Sequence, residues 1–311
     1  MSVFLDREET VPTPALAPQT HVRRSFIWRV SVIAGLGGIL YGYDMGVIAA
    51  TLVFVRKTFM LSTRLEEVVV SVVLIGVMSG ALAGDITDRI GRRATLLWGP
   101  AVRMSLFIAV GFLILQQVTG INAILYYGPR IFSLAGIASN KNAIFATLLV
   151  AATNVLATVI ALVLVDRVGR KPLLYAGVGG MTASLLMLAY SFHNQSSFVA
   201  APGIVATVCL MVYITCFAFS MGPIAWILVS EVFPLQVRGR GVAVASLASG
   251  AANFIVSLTF LSLIKAAGSS TAFVIYAGFC ALTMLFVRFV VPETKGRELE
   301  SISTEANAIA Q

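Results

Sequence analysis

Residues 116–132 read Gln-Gln-Val-Thr-Gly-Ile-Asn-Ala-Ile-Leu-Tyr-Tyr-Gly-Pro-Arg-Ile-Phe, a run of amides, hydroxyls and glycines inside an otherwise apolar segment. Gln116, Gln117 and Asn122 each carry one carbonyl acceptor and an NH₂ donor group, so they offer neutral hydrogen bonds in both senses. Away from water such groups lose their hydration, and they persist only where they line a wet cavity or meet a partner. The chemistry they suit is non-covalent binding. Asp44, the one acid well inside the first apolar stretch, adds a proton acceptor. A charge at mid-membrane costs about 2.5–3.5 kcal/mol on insertion scales, so Asp44 prefers to be neutral or paired, and burial moves its proton affinity toward working pH.

Other polar groups interrupt apolar segments further on. Asn154 and Asn253 stand alone, and for each the structural alternative is a helix-to-helix hydrogen bond worth about 0.6–2 kcal/mol. Trp226 follows Gly222-Pro223, where a kink would turn its ring toward a cavity; the alternative is an interfacial aromatic. On an ideal helix Gln116, Gly120 and Tyr127 share one face within about 40°, while Gln117 and Asn122 point elsewhere. The segment therefore predicts a helix broken at Gly120, which would turn Asn122 to the same side.

The elements that must hold these groups are membrane helices. With 311 residues, 58% hydrophobic and 12% charged, and a mean hydropathy of +0.92, the chain is too apolar for a soluble domain. Eight apolar stretches, at about 27–50, 68–87, 104–127, 143–165, 172–192, 203–230, 241–264 and 270–291, are long enough to cross a bilayer. They are continuously apolar rather than alternating, which predicts an all-α polytopic protein and not a barrel. Of the 22 Lys and Arg residues, only Arg56, Lys57, Arg64, Arg130, Lys141 and Lys265 fall on one side, so the basic majority places both termini in the cytoplasm. This placement accounts for the net charge of +8 without nucleic acid. The first stretch is too long for a signal-peptide core and reads as a retained helix. Cys209, Cys216 and Cys280 lie in apolar segments as packing residues. With no phosphate-cradling loop and no clustered metal ligands, neither an enzyme, a metal site nor a cofactor is expected.

Two loops share an Asp-Arg-x-Gly-Arg-basic core: Asp88-Arg89-Ile90-Gly91-Arg92-Arg93 and Asp166-Arg167-Val168-Gly169-Arg170-Lys171. Their charges can dock on helix ends and carboxylates to close the cytoplasmic side. Asp166 with Arg170, and Glu231 with Arg238, read as salt-bridge gates, with solvated surface charge as the alternative. Parallel six-helix repeats would separate the two loops by six helices; here they are two apart.

Taken together these motifs resemble the sugar porter family of the major facilitator superfamily. Gly38-Ile-Leu-Tyr-Gly-Tyr-Asp44 is similar to its first helix, and the two basic loops to its cytoplasmic loops. Gln116-Gln117-x-x-Gly120-Ile-Asn122-x-x-x-Tyr126-Tyr127 resembles its seventh helix. Gly222-Pro223-x-x-Trp226-x-x-x-Ser230-Glu231-x-Phe233-Pro234-x-x-x-Arg238 resembles its tenth, and Pro292-Glu293-Thr294-Lys295-Gly296 its ending. The resemblance implies a twelve-helix scaffold from which the third to sixth helices are missing, with a seam near Trp98–Pro100. It further implies that Gln116, Gln117, Asn122, Tyr127, Asn154, Trp226 and Asn253 contact a sugar, the indole packing on its ring. Tyr126 and Tyr127 would gate the outer side, and Asp44 would be the proton acceptor of a symporter.

Four segments are expected: a cytoplasmic tail at 1–24, a partial N-terminal bundle at 25–98, a six-helix bundle at 99–295 and a second cytoplasmic tail at 296–311. The expected function is monosaccharide transport across the plasma (inner) membrane by proton symport and alternating access. The expected partners are sugar, proton and lipid, with self-association completing the bundle. The alternative is a non-transporting remnant or a sugar-binding membrane receptor.

Overall fold

The computed structural model describes residue 43 and residues 46–89, 100–137, 139–194, 202–234 and 237–291. Regular structure among them is helical. In chain order the helices are α1 (residues 46–58), α2 (Thr63–Arg89), α3 (Pro100–Val118), α4 (Ile121–Tyr126), α5 (Gly128–Leu134), α6 (Asn140–Val168), α7 (Arg170–His193), α8 (Pro202–Phe219), α9 (Met221–Val232), α10 (Arg238–Ala267) and α11 (Ser269–Phe289). Residues 1–44 separate from the rest as a unit of which Tyr43 alone is described, and the chain from Met45 onward forms a second compact unit.

Six spans among the described residues are long and apolar enough to cross a bilayer: Val102–Tyr126, Asn140–Ala161, Arg170–His193, Gly203–Val232, Arg238–Ala267 and Ser269–Phe289. These match the last six expected stretches. The second expected stretch lies within α2, and most of the first lies outside the described residues. Two spans are not single helices, since Val102–Tyr126 is interrupted at Gly120 and Gly203–Val232 at Ser220.

Local chemistry sets the joints. Gly169, the glycine of the second basic loop, has φ 103°, a region that side chains avoid, and so lets α7 begin one residue after α6 ends. A membrane offers no hydrophobic force between helices, so close packing and hydrogen bonds must hold them. α2 lies along α10, α11 along α7, and α7 and α6 against α8. Glu67 of α2 fixes the first of these pairs: its Oε1 accepts the Ser262 backbone N–H at 2.6 Å and its Oε2 accepts the Ser262 hydroxyl at 2.7 Å. α3 is the most enclosed span, whereas α6 turns Phe145, Leu148, Val155, Leu156, Val159 and Ile160 outward as an exposed apolar face.

Candidate substrate-binding site

Gln116 and Gln117 occupy the last turn of α3, which stops where Gly120 adopts φ 91°, ψ 10°. The Gly120 N–H bonds the Gln117 carbonyl at 3.0 Å, tightening the turn before α4 restarts. Carbonyls freed by the interruption find side chains. The Thr119 hydroxyl donates to Gln116 O at 2.7 Å, and the Tyr213 hydroxyl donates to Thr119 O at 2.9 Å. Two carbonyls at this buried helix end are thus satisfied by side chains.

The interruption turns Asn122 back onto α3. Asn122 Nδ2 donates to Gln117 Oε1 at 2.7 Å. Gln117 Nε2 donates to the Ser249 hydroxyl on α10 at 2.9 Å and leans toward Gln116 Oε1 at 3.5 Å. Gln116 Nε2 donates to the Met221 carbonyl at 2.8 Å, in the first turn of α9. The three amides therefore form one relay across α4, α3, α10 and α9. Gln116 and Gln117 are buried, and in this conformation both hold helices together, the structural role weighed for each amide in the sequence. Asn122 is only half-buried and its carbonyl oxygen has no hydrogen-bond partner among the described residues. It is the open end of the relay.

On α10 the relay meets a polar stripe. Asn253 lies one turn beyond Ser249, and its Oδ1 accepts the Ser257 hydroxyl at 3.2 Å. The Ser257 carbonyl accepts the Tyr127 hydroxyl at 2.9 Å. Ser249, Asn253 and Ser257 thus share one face at intervals of four. Neither serine is among the sequence-derived candidates; the signal was their four-residue spacing around Asn253 in an apolar helix. Tyr127 is pinned by its hydrogen bond and by stacking on Phe260, centroids 5.3 Å apart, and Tyr126 is equally buried.

Two candidates stand apart from the relay. Asn154, half-buried on α6, makes no side-chain hydrogen bond to it; its backbone carbonyl takes the Thr158 hydroxyl at 2.8 Å. Trp226 on α9 is 48% exposed, with no hydrogen bond or ring contact to the amides. The predicted kink is present but falls at Ser220 (φ −120°, ψ −92°), so Pro223 sits in the first turn of α9, where a missing N–H costs nothing.

At the far end of the bundle, Arg170 Nη2 contacts Glu231 Oε1 at 2.9 Å, joining the start of α7 to the end of α9. The sequence pairs Glu231 with Arg238 and Arg170 with Asp166. Glu231 bridges to Arg170 on α7 and not to Arg238, because Gly169 brings Arg170 to the first position of α7 and Arg238 Nε faces the Phe233 carbonyl at 3.4 Å; the Asp166 side chain of the other expected pair lies outside the described residues. Arg170 Nε, Glu231 Oε2 and Arg238 Nη2 are buried without hydrogen-bond partners among the described residues. Asp88 and Arg89 lie in α2 and Asp166 in α6, but their side chains fall outside the described residues, as do Asp44, Arg92 and Arg93 altogether.

A bundle of apolar spans, two of them interrupted beside buried amides, defines a multi-pass helical membrane protein of the major facilitator type. The chain belongs to the family described as "Sugar (and other) transporter", whose profile matches residues 30–104 and 96–306. The two matches meet where the sequence places the seam. The chain is 38% identical over 213 residues to the D-xylose-proton symporter of Escherichia coli (strain K12), covering 67% of this chain and 42% of that one. It is 42% identical over 212 residues to the putative metabolite transport protein YwtG of Bacillus subtilis (strain 168), covering 67% and 45%. Among solved structures it resembles the proton:xylose symporter XylE bound to 6-bromo-6-deoxy-D-glucose, with 38% identity, a TM-score of 0.58, and coverage of 64% of this chain and 42% of that one. The chain thus spans less than half the length of these relatives.

Proposed function

We propose that the chain takes part in carrying a monosaccharide across a membrane in symport with protons, by binding and translocation with no covalent step. The observation that carries this reading is the interruption at Gly120, which gathers Gln116, Gln117 and Asn122 into a relay ending in a free carbonyl. A sugar hydroxyl both donates and accepts, so it can bond the Asn122 oxygen and replace the Asn122–Gln117 contact with little loss. Trp226 and Asn154, both with exposed surface, would supply a ring platform and a further amide. Asp44 would take the proton. The Arg170–Glu231 bridge, with Asp88, Arg89, Arg92, Arg93, Asp166 and Arg238, would close the cytoplasmic side as the bundle rocks.

The family assignment and the symporter names of the relatives support this reading, and D-xylose makes pentoses the first substrates to try. Two helices before the seam leave one wall of a cavity to be supplied from elsewhere, and a second copy of the chain is the proposed source. The inner (plasma) membrane with both termini in the cytoplasm is the proposed location. The deciding experiment is uptake of labelled pentoses and hexoses by proteoliposomes, with and without an inward proton gradient, for the wild type and Asp44→Asn. Gradient-driven accumulation lost in Asp44→Asn supports symport. Saturable sugar binding with no uptake or counterflow would favour the receptor reading.

A further inference from the structure

A cavity of about 500 Å³ opens at the end of the bundle opposite the Arg170–Glu231 bridge, between α1, the start of α2, α5 and the start of α6. Its volume lies in the range of small-molecule sites, about 300–1,000 Å³. Its floor includes Tyr126 and Tyr127, and its polar wall is Arg56, Lys57, Glu66, Arg130, Ser133 and Asn140. The charges do not balance. Arg56 Nε sits 3.5 Å from Glu66 Oε2, and Glu66 also acts on Arg130 through space without an ion-pair contact, so one carboxylate stands against Arg56, Arg130 and the exposed Lys57. The neighbouring acid, Glu67, is committed to Ser262 on α10.

Arg130 is the informative side chain. It is half-buried, so part of its hydration is gone, yet it makes no ion pair or hydrogen bond among the described residues. A guanidinium in that position favours an oxyanion, which it can grip with two parallel N–H bonds. One turn away on α5 the exposed Ser133 hydroxyl lines the same cavity, as does the half-buried Asn140 at the start of α6. These groups suit hydroxyls.

We infer that this outer cavity is a binding site for a sugar acid, a polyhydroxy carboxylate whose carboxylate meets Arg130 and whose hydroxyls meet Ser133 and Asn140. Lys57 and Arg56 add long-range attraction, and Glu66 opposes it. Neutral sugars lack the one group that Arg130 selects. The inference does not depend on transport, because it concerns equilibrium occupancy of a site separate from the amide relay. An anionic lipid headgroup offers the same oxyanion chemistry, and the two sources separate in the test.

The experiment is calorimetric titration of the purified full chain in nanodiscs of phosphatidylcholine with D-glucuronate and, in parallel, D-glucose. Glucuronate is expected to bind at the cavity, to weaken at least tenfold in Arg130→Gln and to tighten several-fold in Glu66→Gln, while glucose binding follows neither change. Equal glucuronate binding in the wild type and Arg130→Gln overturns the inference, as does no binding at all. Should Arg130→Gln fail to fold, Glu66→Gln decides, since unchanged or weaker affinity there is incompatible with a cationic site. Nanodiscs containing phosphatidylglycerol provide the last arm: if they abolish glucuronate binding, the occupant is lipid and the sugar-acid assignment falls. No gradient is applied, so a negative result here leaves the transport reading intact, and a negative uptake result leaves this one intact.

Discussion

The ring of Tyr276 fills the space that a side chain on Gly120 would need: a Cβ built there would lie 2.8 Å from the ring carbon Cδ1. α11 therefore packs against bare backbone at the point where α3 gives way to α4. Position 120 is constrained twice, by its left-handed φ of 91° and by that contact.

Gly120→Ala should accordingly destabilise the protein by roughly 2–4 kcal/mol, combining strain at positive φ with overpacking. It should also misplace Asn122 relative to Gln117. Thermal unfolding in detergent and a sugar-binding assay would both show the loss; an unchanged melting temperature would mean that the interruption tolerates a side chain.

The relay predicts that its members differ in kind. Asn122→Ala removes the open end and should weaken sugar binding by about 1–2 kcal/mol, some five- to thirtyfold, and it should cost about 1 kcal/mol of stability by leaving Gln117 Oε1 without its donor. Gln116→Ala removes a buried bond to the Met221 carbonyl and should lower stability by about 1–3 kcal/mol. Measuring affinity and melting temperature for both variants separates the two roles.

The Arg170–Glu231 bridge is partly buried, with side chains 13% and 20% exposed, and Arg170 Nε and Glu231 Oε2 are buried without hydrogen-bond partners among the described residues. Removing one partner leaves a stranded charge, so Glu231→Gln and Arg170→Met should each cost more than the pair removed together. A double-mutant cycle read by chemical or thermal unfolding should give a coupling of about 1–3 kcal/mol. A coupling near zero would make the contact an incidental surface pair.

Glu66 gives the protein a pH signature. Burial raises its proton affinity above the ordinary value of 4.5, with Arg56 and Arg130 working the other way and Glu67 adding to the rise. A carboxyl whose folded value is raised stabilises the fold fully below its unfolded value and loses that contribution as pH climbs through the folded value. Between pH 4.5 and neutrality the wild type should therefore lose stability relative to Glu66→Gln, in which that step is absent. Melting temperatures across this window for both proteins test the sign.

The sequence made much of this legible because lipid punishes polar backbone and side chains so strongly. Six of the eight expected spans recur within one or two turns of their predicted ends, and the seventh lies inside α2. Gly120 was readable as an interruption because only a departure from the straight helix could bring Gln117 and Asn122 together. The kink near Trp226 was readable from Gly222-Pro223 but misplaced to those residues, since proline sits comfortably in the first turn of a helix and the actual joint, Ser220, has no distinctive composition. Ser249, Ser257 and the Glu67–Ser262 contact escaped because serines in apolar helices are common and only their partners distinguish them.

By itself, then, the order of residues determined an all-helical membrane chain, the family motifs, and the identity of the amides set against lipid. Those properties follow from local periodicity and from the cost of burying polar groups, both of which act over short stretches of chain. Tertiary structure alone decided that Gln116 reaches the Met221 carbonyl, that Glu231 chooses Arg170, and that Arg130 lines a cavity with no ion-pair contact among the described residues. Pairing between residues more than sixty positions apart depends on how helices cross and rotate against one another, and no local pattern carries that information.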